Sequence, residues 1–208
     1  MNMPLLADAG SDAQRAGLDL LSIVRINEEI KRVVTVSFKI NIMALNAIFL
    51  AKRAGTAALG FGVLSNELRV FSQDLRTCMD ALTGLIHDCV NEVSLILQQS
   101  RSSRLLSTAI ALSPHASVPT VLRRREESNA LRQRRLASAR GKLRRAMEDA
   151  FQMVELGGVL AKSAKIEAAY GQSFAGPLAQ VSGEFDGIVE EIRTSLESLR
   201  RSSFFGVN

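Results

Sequence analysis

The chain has 208 residues, 47% of them hydrophobic and only 5% aromatic, with four prolines and no Trp. This composition excludes a disordered chain and predicts an all-α protein that buries a continuous core. The net charge of +5 and the pI of about 9.7 leave open a function in binding nucleic-acid phosphates or an anionic membrane surface.

The longest apolar run, residues 42–51, is interrupted by Asn46 and is too short to cross a bilayer, which takes about 20 apolar residues. The first residues lack the charged start of a signal peptide. We therefore expect a cytoplasmic protein without a transmembrane segment.

The first half of the chain is predicted to form a helical hairpin, residues 1–113, with its turn near 50–62. The residues that alternate in steps of three and four before the turn are Ile23, Ile26, Ile30, Val33, Ser37, Ile40, Ala44, Ala47, Ala51 and Ala54. After the turn the same spacing is met by Phe61, Leu64, Leu68, Phe71, Leu75, Cys78, Leu82, Leu85, Cys89 and Ile96, with Glu92 as one charged intruder. Such spacing is typical of a coiled-coil seam. Gly55 and Gly60 are expected to supply the backbone freedom for the turn.

Pro114 and Pro119 end the second helix and bound a linker, residues 114–119. A second, degenerate hairpin spans residues 120–208, with its turn near 167–179 and glycines at Gly171 and Gly176. The first helix of this hairpin, the third of the chain, carries a dense run of basic residues. A shift of 117 residues superimposes the first seam, from Ile26 onward, on the second hairpin, where it meets apolar or small residues from Leu143 to Ala168. We expect helices near 11–54, 58–112, 120–171 and 177–203, packed as a long antiparallel four-helix coiled-coil bundle with both turns at one end.

Metal and redox sites are not expected. Cys78 and Cys89 are too far apart on one helix for a disulfide, and neither His87 nor His115 has a second ligand one helical turn away. The sequence also lacks a phosphate-cradling glycine loop and a nucleophile paired with a plausible base. We predict no enzyme activity and no cofactor.

Residues 41–69 read NIMALNAIFLAKRAGTAALGFGVLSNELR. This stretch resembles the hairpin tip of bacterial methyl-accepting chemotaxis proteins, and residues 160–184 resemble it in weaker form. The resemblance implies a cytoplasmic chemoreceptor signalling domain in which two tandem hairpins imitate a receptor dimer within one chain. It further implies a CheW-type coupling protein and a CheA-type histidine kinase as partners, with chemoreceptors as further candidates.

The resemblance also implies which residues contact those partners. They are Phe38, Ile42, Asn46, Arg53, Val63, Glu67 and Arg69 in the first hairpin and Glu167 and Glu184 in the second. The charged pair through which receptor dimers associate as trimers is divided here. The first copy keeps Arg53 but has Leu50 in place of the Glu, and the second keeps Glu167 but has Tyr170 in place of the Arg.

Gln99 and Glu191 are weak candidates for the methylated positions of the family, because small residues flank them incompletely. Two other functions remain open. The basic third helix could bind nucleic acid or an anionic membrane surface, although no aromatic residues interleave its cations. The chain could also be a purely structural helical interaction protein.

Overall fold

The structure is a computed structural model that describes the backbone of residues 4–112, 118–202 and 204 and the side chains of 14–108, 121, 123–202 and 204. Four α-helices account for nearly all of the described chain, and no strand occurs within it. They are α1 (Pro4–Ala54), α2 (Leu59–Leu112), α3 (Val118–Ala169) and α4 (Ala175–Arg200). The prediction of an all-α protein is confirmed.

Several helix ends differ from those expected by a few residues. Helix α3 begins at Val118, so Pro119 lies in its first turn, where a missing amide hydrogen breaks no helical hydrogen bond. Helix α4 begins at Ala175 and likewise has a proline, Pro177, in its first turn. The rest of the predicted linker, residues 114–117, lies outside the described residues.

The chain divides into two compact units. Unit 1 consists of Met1–Ile26, Gly84–Leu143 and Ser203–Asn208, and unit 2 consists of Asn27–Thr83 and Arg144–Ser202. Each unit therefore takes residues from both predicted hairpins, and the hairpin boundaries do not coincide with those of the compact units. Both turns belong to unit 2.

In α1 the predicted seam is buried from Ile23 to Ala51, and only Ala54 is half-buried. In α2 seven of the ten predicted seam residues are buried and three are not. The buried residues are Phe61, Ser65, Leu68, Ser72, Leu75, Met79, Leu82, Ile86, Cys89, Val93, Ile96 and Ser100, with Phe71 beside them. Leu64, Cys78 and Leu85 are only half-buried.

Small serines explain the error in α2. Ser65 Oγ donates to the Phe61 carbonyl oxygen at 2.7 Å, and Ser72 Oγ donates to the Arg69 carbonyl oxygen at 3.1 Å. Each hydroxyl is thereby satisfied within its own helix and can be buried without a partner from another element. Val93, and not Glu92, occupies the buried seam position, so the buried seam described for α2 contains no charged residue.

The 117-residue shift relates many residues of equal burial, although Phe71 is buried and its counterpart Ile188 only half-buried. Ser65 and Ser182 are both fully buried, and each donates its hydroxyl to a carbonyl one turn earlier in its helix. The fully buried Phe61 and Leu68 correspond to the fully buried Leu178 and Phe185. The two turn-proximal halves of the chain thus bury the same repeating pattern, including its polar members.

The described helical segments of unit 1 come from α1, α2 and α3 only. Helix α4 ends at Arg200, three residues before the expected end, and Phe204 beyond it is buried in unit 1. The Arg140 guanidinium lies 4.5 Å from the centroid of the Phe204 ring and forms an ion pair with Asp19. A bundle of four helices along the whole chain is therefore not confirmed.

Candidate protein-contact site

The two turns of unit 2 are built differently. Helix α1 passes into a short 3₁₀ turn, Gly55–Ala58, in which Gly55 takes a φ of 66°. At the second turn the positive φ, 50°, belongs to Gln172, whereas Gly171 has a φ of −72° and Gly176 lies inside α4. Of the two glycines expected to give the first turn its backbone freedom, Gly55 has a positive φ, whereas Gly60 lies inside α2 and does not.

Gly60 and Gly171 both lie close to side chains of the second hairpin. A Cβ atom on Gly60 would collide with the Glu167 carboxylate, and one on Gly171 would collide with Leu178. The Gly60 contact joins α2 of the first hairpin to α3 of the second. Glu167 is accordingly half-buried against Gly60 rather than projecting from the turn.

An apolar groove with a volume of about 530 Å³ opens beside the first turn. Its walls are Ile48, Ala51, Lys52, Gly55, Ala58, Leu59, Gly62, Val63 and Asn66, from the end of α1 and the start of α2. Val63 is 63% exposed, and Leu59 is exposed to a similar degree. We call this feature the tip groove.

A stripe of large apolar side chains lies on α1, on the face away from its buried seam. It consists of Phe38, Ile42, Leu45 and Phe49, which recur at steps of four, three and four and are all exposed. Phe49, at 64%, is the most exposed of them. We call this set the outer stripe.

Lys39, Lys52 and Arg53 are the charged residues between Thr35 and Asn66, a range without any Asp or Glu. All three are exposed. The stretch that forms the tip groove and the outer stripe therefore contributes positive charge only, and the nearby carboxylate at Gly60 comes from Glu167 of α3. This character suits a partner that presents apolar side chains within an acidic rim.

The sequence-predicted contact residues divide among these surfaces. Phe38 and Ile42 lie in the outer stripe, and Val63 lies in the tip groove. Asn46, Arg53 and Glu67 are exposed elsewhere on α1 and α2, and the half-buried Arg69 donates to the Asn66 Oδ1 atom at 3.4 Å. Glu184 is exposed on α4 and accepts from Gln180 at 3.3 Å.

Several residues of both surfaces were missed by the sequence analysis. Leu45 and Phe49 extend the outer stripe, and Ile48, Lys52 and Leu59 line the tip groove. The signal that could have found the first two is a second apolar periodicity in α1, offset from the seam. The groove lining could not be read from periodicity, because it depends on how α1 and α2 meet at the turn.

The two candidate methylation positions differ. Gln99 is half-buried, and its Nε2 donates to the Arg125 carbonyl oxygen at 2.7 Å. Glu191 is exposed, while the neighbouring Glu190 accepts two hydrogen bonds from Arg193, which lower the pKa of its carboxyl. Only Glu191 is thus an accessible candidate.

The two cysteines are free thiols. Burial raises the pKa of Cys89 to about 11, although the nearby Arg140 opposes the shift, and burial also raises the pKa of Cys78. Among the side chains that the structure describes, no three His, Cys, Asp or Glu residues lie close enough together to hold a metal ion. His115 is outside them.

One helical stretch between Gln14 and Thr108 is long and apolar enough to cross a membrane by length and composition, with 33% of its most apolar window buried. Core helices and signal sequences meet the same criterion. The absence of a transmembrane segment stays a prediction.

Comparisons with known proteins give no relative: no family model, curated protein or solved structure matches this chain.

Proposed function

We propose that the protein is a chemoreceptor-like signal transduction protein that docks a CheW-type coupling protein through the tip groove. The observation that carries the proposal is the groove itself. It is an exposed apolar concavity at the turn of the first hairpin, in the segment whose sequence resembles a receptor tip.

The charge around the groove supports the same proposal. Lys52 lines the groove and Arg53 follows it, with no carboxylate between residues 35 and 66. Positive charge at the rim of an apolar contact guides a complementary acidic partner and fixes its orientation. The apolar interior then supplies most of the binding free energy.

The proposal includes an arrangement of helices. Unit 2 would form an antiparallel, coiled-coil-like four-helix bundle of two hairpins that imitates a receptor dimer. The contact of Gly60 with Glu167 and that of Gly157 with Phe71 support it, because both join α2 of the first hairpin to α3 of the second. The equal burial of many residues 117 positions apart supports it as well.

Through the coupling protein, the chain would modulate a CheA-type histidine kinase in the cytoplasm, without catalysis or a cofactor of its own. Receptor-like trimers would be weak, since Leu50 and Tyr170 replace two charged residues of the family contact. Glu167, a third, is turned toward Gly60. Restoring Leu50→Glu together with Tyr170→Arg should favour trimers and raise kinase output.

The docking proposal is tested by Val63→Asp. A carboxylate in the groove would have to be desolvated on binding, so affinity for a purified CheW-type protein should fall by about 10-fold or more. Val70→Asp is the matched control, because Val70 is an exposed valine of the same helix outside the groove lining. Binding should be measured by calorimetry and helicity by circular dichroism.

If Val63→Asp and Val70→Asp bind as the unmodified chain does, docking occurs elsewhere. If no coupling protein binds the unmodified chain, a purely structural helical protein becomes the better account.

A further inference from the structure

The net positive charge of the chain is confined to one of its compact units. Unit 1 contains 12 of the 26 Lys and Arg residues but only 7 of the 21 Asp and Glu residues, a net charge of +5. Unit 2 contains the remaining 14 cations and 14 carboxylates and is neutral. The docking site proposed above lies in unit 2, so the charge of unit 1 requires a separate explanation.

Part of this charge is used within unit 1. The Glu92 carboxylate oxygens lie 3.9 Å from Arg132 Nη1 and 4.0 Å from Arg135 Nη1. Arg140 forms an ion pair with Asp19. Arg125 donates to Ser102 Oγ at 2.9 Å. These cations hold α3 to α1 and α2.

Cations also point to solvent from one face of α3, and one of them, Arg135, is the exposed partner of Glu92. Arg124, Leu131, Arg135 and Lys142 recur at steps of seven, four and seven, which places them along a single helical face, and all four are exposed. Arg124 and Lys142 have no carboxylate within 4 Å among the described side chains, and the α3 residues 128–143 include no Asp or Glu at all. We call this set the basic face. It extends roughly 27 Å along the helix.

Exposed leucines accompany the cations on all three helices of unit 1. Leu131 is 50% exposed within the basic face, and Leu105, at 74%, follows Arg104 on α2. On α1, Leu18 and Leu21 are exposed between Arg15 and Arg25. Apolar side chains among cations suit the boundary between lipid headgroups and acyl chains. Nucleic-acid surfaces instead combine cations with aromatic side chains that stack on bases, and the described exposed cations of unit 1 have no such neighbours.

We propose that unit 1 binds anionic phospholipid surfaces through the basic face of α3. The cations approach the lipid phosphates, and Leu131 inserts at the headgroup boundary. This association does not depend on the coupling-protein site in unit 2. It would hold the chain at an anionic membrane surface.

The test is sedimentation of the full chain with phosphatidylcholine vesicles prepared with and without phosphatidylglycerol. We expect binding only to the anionic vesicles, and a loss of binding at high salt. Arg124→Glu with Lys142→Glu should lower the partition coefficient by at least roughly 30-fold, because each cation at an anionic surface contributes about 1 kcal/mol, which corresponds to about 5-fold.

Lys162→Glu with Lys165→Glu is the matched control. It reverses two exposed lysines of the same helix in unit 2 and changes the net charge equally. It should leave vesicle binding near that of the unmodified chain. Equal losses in the two variants would show that only total charge matters and would overturn the proposal.

Leu131→Gln tests the apolar part against Leu156→Gln, an exposed leucine of α3 in unit 2. Only the first should weaken vesicle binding. Duplex DNA, followed by fluorescence anisotropy, distinguishes the rival ligand. Binding to DNA without binding to anionic vesicles, equal binding to neutral vesicles, or no vesicle binding at low salt would each overturn the proposal.

Discussion

Gly157 shows how a single missing side chain sets the distance between two helices. A Cβ atom there would lie 2.5 to 2.9 Å from three ring carbons of Phe71. The ring is buried and cannot swing away freely. Gly157→Ala should therefore lower the free energy of unfolding by about 1–3 kcal/mol, despite the better helix propensity of alanine.

The matched control for Gly157→Ala is Gly183→Ala. Gly183 lies within α4 and has no atom within 4 Å of its would-be Cβ. That change should stabilise the protein by about 0.5–1 kcal/mol, as expected for a helix interior. Urea denaturation measures both, and a stabilised Gly157→Ala would show that α2 and α3 do not approach each other there.

Cys89 should be chemically inert near neutral pH. Its pKa is raised to about 11, so the thiolate, which is the reactive form, is almost absent at pH 8. The unfolded chain, with an ordinary thiol pKa, loses this proton first as the pH rises. The Cys89 contribution to stability is thus complete below about pH 8.5 and falls between there and about pH 11.

Labelling with a disulfide reagent tests this in a Cys78→Ser background. The thiol should react at least roughly 100-fold more slowly in the folded protein than in denaturant, since both burial and protonation oppose reaction. Rapid labelling of folded protein would show that Cys89 is reached by solvent.

The limit of sequence reasoning at this scale is set by polar residues in the core. Leu64 is more apolar than Ser65 and was chosen for the seam, yet Ser65 is fully buried and Leu64 only half-buried. Ser65 can be buried because its hydroxyl donates a hydrogen bond to the Phe61 carbonyl oxygen and because its small side chain lets the helices approach each other. A hydrophobicity pattern contains neither fact.

At the scale of the helices, the seam narrows to alanine near the first turn. Ala44, Ala47 and Ala51 in α1 and Ala161, Ala164 and Ala168 in α3 are all buried. Ala47→Leu or Ala164→Leu should overpack this region and cost about 1–3 kcal/mol of stability. Ala179→Leu, at an exposed position of α4, should change the free energy of unfolding by less than about 0.5 kcal/mol.

Thermal unfolding distinguishes these variants. If the two buried substitutions melt at the temperature of the unmodified chain, the alanine seam is loosely packed and does not fix the distance between the helices.

The helices themselves were readily predicted, and two of their ends, Ala54 and Leu112, coincide with the expected positions. Periodicity and proline placement are local signals and suffice for such elements. The positive φ of Gln172 was not predictable in this way. Glycine is the usual residue at such a position, yet Gly171 is the residue before it, where the missing side chain leaves space for Leu178.

For the whole molecule, the boundaries of the two compact units do not coincide with the boundaries of the two repeated hairpins. The repeat is visible because many residues 117 positions apart have matching burial, but contacts group the turn-proximal parts of both hairpins together. Long-range grouping of this kind depends on which helices meet, and the seam pattern is compatible with partners in the same chain or in another. The sequence therefore predicted the elements better than their assembly.

The assembly is tested by a disulfide between the two hairpins. Gly60 and Glu167 approach so closely that a Cβ on Gly60 would lie 2.7 Å from the Glu167 Cδ atom. Cysteines at both positions, in a chain lacking Cys78 and Cys89, should bond within one molecule, because the Cβ of residue 167 is only two bonds from that Cδ atom and the two Cβ atoms are therefore separated by at most about 5 Å, close to the spacing of a disulfide. A protease site inserted between Pro114 and Pro119 then separates the hairpins. Without reductant the cleaved halves should migrate as one species, and with reductant as two. Each single-cysteine variant should always give two, and a bond found only between different molecules would refute a tandem hairpin pair within the chain.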